Sequence, residues 1–271
     1  MPPISTDAIL EFLGCRRSRP TVATLRRLID AYVQRVPWES AFRIAKRSRC
    51  DQTEMCPRWP DEFWRDALDS GGGGTCFESN YAFHALLTDL GFAGYLTIND
   101  MGETIGCHTA IVVTIAQQPW LVDVGLPLHR PVALRRDRVT AARGPFHTYY
   151  ARPAAGNRFA IERSRHPRRN AFTLLDVPVA NATYRAAATA DYGATGLFLD
   201  RVIVVRRLGD AVWRFNSSER PFHLERFARD GSRSELAVAD EDAAATVAQH
   251  FGMDAATLRA AFQAVGLAAA T

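Results

Sequence analysis

The sequence predicts an α+β protein in which helices come first, strands follow and further helices close the chain. Two observations carry this prediction. Apolar residues recur at helical spacing through roughly the first ninety residues, whereas short runs rich in β-branched residues dominate from about residue 95 onward. Because helices and strands come in blocks and do not alternate, a doubly wound parallel sheet is disfavoured.

Three helices are predicted in the first part of the chain. Residues 21–36 place apolar side chains three and four positions apart, the spacing of an amphipathic helix, and Pro37 ends it. A short helix is expected over 61–70, before a run of glycines. A third, over 77–90, carries an apolar stripe and has Gly91 as a natural C-terminal cap.

Seven short strands are expected after these helices, each rich in β-branched or aromatic residues. Helical spacing returns over 240–266, with a break at Gly252. The predicted strands lie at residues 95–98, 108–116, 119–126, 146–151, 158–163, 201–208 and 211–216.

The composition is that of a soluble globular protein. The chain has 271 residues, of which 47% are hydrophobic and 23% charged, enough to bury a sizeable core. No apolar run approaches the ~18 residues of a membrane span, and the N-terminus lacks the features of a secretory signal. We therefore expect a cytoplasmic protein that does not bind membranes. The net charge of +4 comes almost entirely from scattered arginines, which gives little reason to expect a nucleic-acid partner.

The five cysteines are not expected to form a disulfide framework or a metal site. Their number is odd, and Cys50 and Cys56 are followed by no Cys or His pair at zinc spacing. Cys76 differs in its setting, since it follows the glycines of "SGGGGTCFESN" (70–80) and opens a predicted helix. Free N–H groups and the helix dipole favour negative charge there. We therefore expect a nucleophilic thiolate, with N–H groups nearby that could hold an oxyanion.

A nucleophilic cysteine needs a base, and His108 and Asp123 are the candidates. His108 begins one predicted strand, and Asp123 lies in the next among apolar residues, where an unpaired acid is costly. A hairpin that sets them directly opposite has its loop near 114–117, whereas a tight turn at 117–118 would separate them. In the first register, Asp123 orients His108, which takes the proton of Cys76. A small buried thiol and a surface histidine are the alternatives for the residues taken singly.

Six segments occur in an order and with residues that are similar to those of a known family. They are "RVPWES" (35–40), "GGGTCFESN" (72–80), "CHTAIVV" (107–113), "LVDVGLP" (121–127), "DRVIVVRR" (200–207) and "VAQHFGM" (247–253). Together they resemble the arylamine N-acetyltransferase family over nearly the whole chain.

The resemblance implies a Cys76–His108–Asp123 triad in a core like that of the cysteine proteases. The implied chemistry is ping-pong: Cys76 takes an acetyl group from acetyl-CoA as a thioester, and an arylamine, hydrazine or N-hydroxyarylamine then attacks it. No permanently bound cofactor is implied, and acetyl-CoA or another acyl thioester is a co-substrate. The implied regions are a helical bundle carrying the nucleophile (1–90), an antiparallel β-barrel carrying the histidine and aspartate (91–188) and an α/β lid (189–271).

Further site residues follow from the same resemblance. The residues expected to support the catalytic loop are Gly74, Thr75, Phe77, Glu78 and Asn80, and those expected to contact substrate are Trp38, Thr109 and Leu126. The alternative role of Glu78 is a favourable interaction of its charge with the helix N-terminus, and that of Trp38 is core packing.

Four positions depart from the family pattern. Gly72 stands where the motif has an arginine, so Glu78 lacks its local partner unless another arginine takes that place. Leu126 replaces an aromatic residue, which reshapes the expected acceptor pocket. Trp38 replaces a phenylalanine, and Ser40 an asparagine.

Three other functions remain open. An amide synthase of the same family would take a polyketide acyl chain from an acyl carrier protein, and a basic docking patch would favour it. A thiol hydrolase or transglutaminase-like enzyme shares the Cys-His-Asp order. A catalytically silent homologue acting as a binding protein would carry a buried, unreactive Cys76.

Overall fold

The computed structural model describes residues 3–164, 166 and 168–267. Within these residues the chain forms helices first, then a long run of strands, and helices again at its end. The helices are α1 (Thr6–Leu13), α2 (Val22–Arg35), α3 (Ala41–Arg47), α4 (Pro60–Ser70), α5 (Cys76–Asp89), α6 (Asn181–Ala190), α7 (Ala243–Phe251) and α8 (Ala255–Ala264), with a 3₁₀ turn at Thr53–Met55.

The strands form two antiparallel sheets. The first has the order β5-β4-β3-β2-β9-β8-β7-β6, and β5 also lies against β6 and β7, so this sheet curls into a nearly closed barrel. The second has the order β1-β10-β11-β12-β13. The strands are β1 (Trp38–Glu39), β2 (Ala93–Met101), β3 (Thr104–Ile115), β4 (Gln118–Val122), β5 (Val132–Ala133), β6 (Thr140–Arg143), β7 (Thr148–Ala154), β8 (Arg158–Arg163), β9 (Asn170–Leu175), β10 (Ile203–Leu208), β11 (Ala211–Asn216), β12 (His223–Ala228) and β13 (Arg233–Ala237).

Three apolar cores hold these elements together. Helices α1, α2, α4 and α5 pack with α6 against one face of β2 and β3. Side chains of the barrel strands fill the barrel itself. Helices α3, α7 and α8 pack on the second sheet. This architecture confirms the predicted α+β class, with helices at the N-terminal side and a nearly closed antiparallel barrel.

The boundaries of the three predicted regions stay a prediction. The elements β1 and α3 come from the first region but belong to the second sheet and its core. Helix α6 follows the barrel strands but packs on the core of the N-terminal helices. Among the described residues, no helix has both the length and the apolarity needed to cross a membrane.

The β3–β4 hairpin turns at the end of the expected 114–117 loop, one residue later than direct opposition of His108 and Asp123 requires. Its two turn residues, Ala116 and Gln117, both have positive φ angles of 48° and 64°, the geometry of a tight two-residue hairpin turn. Ile111 pairs with Val122, and β4 ends there. The predicted direct opposition of His108 and Asp123 is therefore wrong, because Asp123 follows the last paired residue and meets His108 diagonally.

Candidate active site

Cys76 is the first residue of helix α5, directly after the glycine turn, and its side chain is buried. Thr75 is the residue before the helix and has extended backbone. The backbone of Cys76 packs closely against Gly125, where a Cβ would overlap the Cα of Cys76. A glycine at 125 therefore lets the chain after β4 run past the nucleophile.

His108 and Asp123 lie beside Cys76 and contact each other. His108 Nε2 donates to Asp123 Oδ2 at 2.6 Å, and both side chains are buried. Asp123 Oδ1 accepts from the backbone N–H groups of Gly125 at 2.9 Å and Leu126 at 2.8 Å. Because these donors fix the carboxylate, Asp123 holds the His108 ring in one orientation.

The environment of His108 keeps its imidazole protonated. Burial alone would lower the pKa of His108, but the charge and hydrogen bond of Asp123 and the hydrogen bond with Cys76 outweigh it and raise the pKa to about 10. Since Nε2 is engaged by Asp123, Nδ1 is the ring atom left for the thiol. The Sγ atom of Cys76 also lies 3.7 Å from the carbonyl oxygen of Cys107, the residue before the histidine.

Asn80 joins the nucleophile helix to both strands of the hairpin. Its Nδ2 donates to the Thr109 carbonyl oxygen at 2.7 Å and to Asp123 Oδ1 at 3.0 Å. Its Oδ1 accepts from the Val124 N–H at 3.0 Å. Asn80 is completely buried, so its amide acts as a rigid link within the site.

Thr109 lies in a different place from the one expected for a substrate contact. It is completely buried, and its hydroxyl donates to the carbonyl oxygen of Cys76 at 2.8 Å. The hydroxyl of Tyr184 donates to the Phe77 carbonyl oxygen at 2.8 Å and lies 3.1 Å from Thr109 Oγ1. Thr109 and Phe77 therefore both take part in holding the first turn of α5, and Thr109 is not positioned to touch substrate.

The missing motif arginine is replaced from another part of the chain. Arg58 donates to Glu78 through Nε at 3.0 Å and through Nη2 at 2.7 Å, a two-point ion pair between buried side chains. Burial would raise the pKa of Glu78, but Arg58 outweighs it and lowers the pKa below the ordinary value. At position 72, a Cβ would lie 2.8 Å from the ring of Phe42. The space for a side chain at Gly72 is thus filled by Phe42, and its charge is supplied by Arg58.

Arg58 also holds the glycine turn. Its Nη2 donates to the carbonyl oxygen of Gly73 at 2.7 Å, and its Nη1 to Asp66 at 3.0 Å. The buried Glu39 accepts from the N–H of Gly73 at 3.1 Å, and the carbonyl oxygen of Gly74 accepts from Ser79 at 3.0 Å. These contacts fix the turn that delivers Cys76.

A second buried arginine steadies the start of the helix. Arg43 donates to Thr75 Oγ1 at 2.8 Å and pairs with Asp191 at 2.7 Å. Tyr192, which follows, donates its hydroxyl to Glu78. Sequence reasoning missed Arg43, Arg58 and Tyr192, although the buried Glu78 signals a need for a cation.

A cavity of about 600 Å³ lies between the barrel and the second sheet, and Gly125 separates it from Cys76, which does not itself line it. Gly125, which touches Cys76, and the expected pocket residue Leu126 line it. Trp38 lines it too, and its ring meets Phe198 edge-on at 5.0 Å. The structure thus places Trp38 and Leu126, but not Thr109, at the cavity wall.

The chain matches known proteins over most of its length. A sequence model described as N-acetyltransferase matches residues 21–259. Proansamycin X synthase of Amycolatopsis mediterranei (strain S699) is 29% identical over 136 residues, 47% of this chain and 50% of that protein. The chain thus aligns with about half the length of this curated relative.

Solved structures share the fold. The arylamine N-acetyltransferase from Mycobacterium abscessus has a TM-score of 0.79 at 22% identity, over 97% of this chain and 95% of that one. The Mycobacterium marinum arylamine N-acetyltransferase in complex with CoA has a TM-score of 0.78 at 18% identity, over 98% and 100%. The structural likeness establishes the fold, and the sequence match covers most of the chain. This chain therefore belongs to the N-acetyltransferase family, a family of enzymes.

Proposed function

We propose that the protein is an acyltransferase that carries an acyl group on Cys76 between an acyl thioester and an amine. The observation that supports this best is His108, held by Asp123 at 2.6 Å through one ring nitrogen while the other is left for Cys76. A protonated imidazole places positive charge beside the sulfur, and the thiolate is the form of cysteine that attacks.

In the first half-reaction, the thiolate of Cys76 attacks the carbonyl carbon of acetyl-CoA. The bond from that carbon to the CoA sulfur breaks, and His108 gives its proton to the departing thiolate. The negative charge that develops on the carbonyl oxygen falls near the start of α5, where N–H groups have no partner within the helix. The product is a thioester on Cys76.

In the second half-reaction, an arylamine, hydrazine or N-hydroxyarylamine attacks the thioester. His108, now neutral, removes the proton from the attacking nitrogen, and the bond from the acyl carbon to Cys76 breaks. An amide leaves, and the protonated imidazole and the thiolate are regenerated. Asp123 stabilises the imidazolium in both halves without taking the proton itself.

The test is to incubate the protein with acetyl-CoA and measure its intact mass. We expect the mass of one acetyl group on the wild-type chain, none on Cys76→Ala, and loss of the adduct when an arylamine is added. Cys107→Ala is the matched control, because Cys107 is the neighbouring cysteine and should not carry the group. No adduct from acetyl-CoA or longer acyl-CoAs would refute acyl-CoA as the donor and favour either a carrier-bound donor or a catalytically silent binding protein. Rapid loss of the adduct to water without an amine would favour a thiol hydrolase.

A second candidate, supported by the cavity, is amide synthesis from a larger acyl chain on a carrier protein. A volume of about 600 Å³ falls in the range of sites for drug-sized ligands and is far larger than an acetyl group requires. The curated relative is named as a synthase. Comparing acylation of Cys76 by acetyl-CoA with acylation by a long-chain acyl carrier protein separates the two. A preference for the long, carrier-bound chain would favour amide synthesis. Either function is compatible with the proposed location in the cytoplasm.

A further inference from the structure

The charged residues that line the cavity near Cys76 are all basic. Its described lining includes five arginines and three histidines but no aspartate or glutamate. The rest of the lining is mostly aliphatic and aromatic. A basic wall in an apolar cavity creates a positive potential that water and salt screen poorly.

The lining arginines differ in what neutralises them. Arg207 pairs with Asp30 at 2.8 Å, and Arg214 pairs with Glu219 and Glu225. Arg163 and Arg206 have no carboxylate within ion-pair distance among the described residues, but Arg206 donates to the carbonyl oxygens of Gln34 at 3.1 Å and of Phe251. The side chain of Arg163 donates from Nε to the carbonyl oxygen of Arg168 at 3.4 Å. Burial lowers the pKa of Arg163 more than Tyr149 raises it, and the charge of Arg168 lowers it further.

A second, independent feature of the same cavity is His129. It is 5% exposed, and its Nδ1 has no hydrogen-bond partner in the described part of the chain. Burial and the nearby charge of Arg207 lower its pKa to about 3, so the ring is neutral at neutral pH. A buried polar atom without a partner destabilises the protein, and a ligand that bonds to it removes that cost.

We infer that this cavity selects a substrate with an apolar body and a carboxylate, the carboxylate bound by Arg163 and a polar atom of the body by His129. The inference rests on the proposed function, because it names the class of substrate that reaches Cys76. A guanidinium forms two parallel hydrogen bonds to a carboxylate, and a partly dry setting strengthens them. Trp38, Leu126 and Tyr149 supply the apolar surface for the body.

The test is binding of matched probes that cannot be acylated. Phenylalkanoates with three to six chain carbons are compared with the corresponding primary amides by isothermal titration calorimetry on the wild-type protein. At one or more lengths we expect the carboxylate to bind at least tenfold more tightly than its amide. In Arg163→Met, the carboxylate and its amide should bind with equal affinity. Arg163→Gln serves as a second variant if the first does not fold. Arg143→Met is the matched control, because Arg143 is exposed on β6 and does not line the cavity.

If the wild-type protein binds carboxylates and amides equally at every chain length, the inference is overturned. The same loss of selectivity in Arg143→Met would also overturn it. If Arg163→Met weakens the use of acetyl-CoA and leaves carboxylate selectivity intact, Arg163 serves the donor's phosphates and the inference is also overturned. An adduct on Cys76 without carboxylate selectivity would refute this inference alone, whereas selectivity without an adduct would refute the proposed function alone.

Discussion

Replacing Arg58 with methionine tests whether this residue supplies the charge that the motif lacks at Gly72. The change keeps much of the length of the side chain but removes the two bonds to Glu78, at 3.0 and 2.7 Å, and the bond to the Gly73 carbonyl oxygen at 2.7 Å. Glu78 is 4% exposed, so its carboxylate would be left buried without its main cation. Breaking a buried ion pair from one side typically costs about 3–5 kcal/mol. That is a large part of a typical stability of about 5–15 kcal/mol.

Two assays on Arg58→Met separate stability from chemistry. Urea unfolding measures the free energy of unfolding, and the rate of Cys76 acylation at low temperature measures the site in the molecules that remain folded. We expect both to fall. Arg152→Met is the matched control, because Arg152 is 50% exposed and its pair with Glu162 is worth less than about 1 kcal/mol.

A second substitution tells whether the unpaired carboxylate is the cause. Glu78→Gln added to Arg58→Met removes the buried charge and should recover a large share of the lost stability. Equal stability of Arg58→Met and Arg152→Met would refute the reasoning. So would a double variant as unstable as the sum of the two single ones.

Three further predictions concern the same site. The pKa of His108 is raised from 6.5 to about 10, so its bond to Asp123 stabilises the folded state fully below pH 6.5. This stabilisation is lost as the pH rises towards 10. The difference in free energy of unfolding between wild type and Asp123→Asn, measured by urea titration, should therefore shrink between pH 6.5 and 10. Thr109→Val should cost about 0.5–1.5 kcal/mol, because it removes the hydroxyl hydrogen bond to the Cys76 carbonyl oxygen. An unchanged KM for the amine would separate this role from substrate contact. Leu126→Trp should slow acylation by long acyl chains more than by acetyl, because it narrows the cavity; equal slowing of both would contradict the assigned position.

The order of helices and strands could be predicted because amphipathic spacing and β-branched runs are local patterns that are visible in the sequence. The sequence also predicted the grouping of Cys76, His108 and Asp123, which the structure brings together. It left the hairpin register open between two turns, and the observed turn at Ala116 and Gln117 matches neither, because both residues adopt positive φ without being glycines. The short strand β13 was missed because it is exposed throughout and shows no burial pattern.

The partner of Glu78 could not be located from the sequence. Arg58 and Glu78 are 20 residues apart, with helix α4 and the glycine turn between them. Which of many arginines reaches a buried acid depends on tertiary packing. Thr109 was wrongly expected to contact substrate for a related reason. The strand pattern tells which neighbouring residues lie on the same face of the sheet as Thr109, but not whether a helix covers that face.

The pairing of β1 with β10 has a consequence for how the protein is made. Ser40 bonds to Arg201, 161 residues later, and Trp38 also bridges to Gly74 in the nucleophile turn. At a synthesis rate of about 5–20 residues per second, the early segment waits about 8–32 s for its partner to leave the ribosome. During translation the turn that carries Cys76 therefore stands without its β10 partner, and we expect nascent chains that stop before β10 to be prone to chaperone capture.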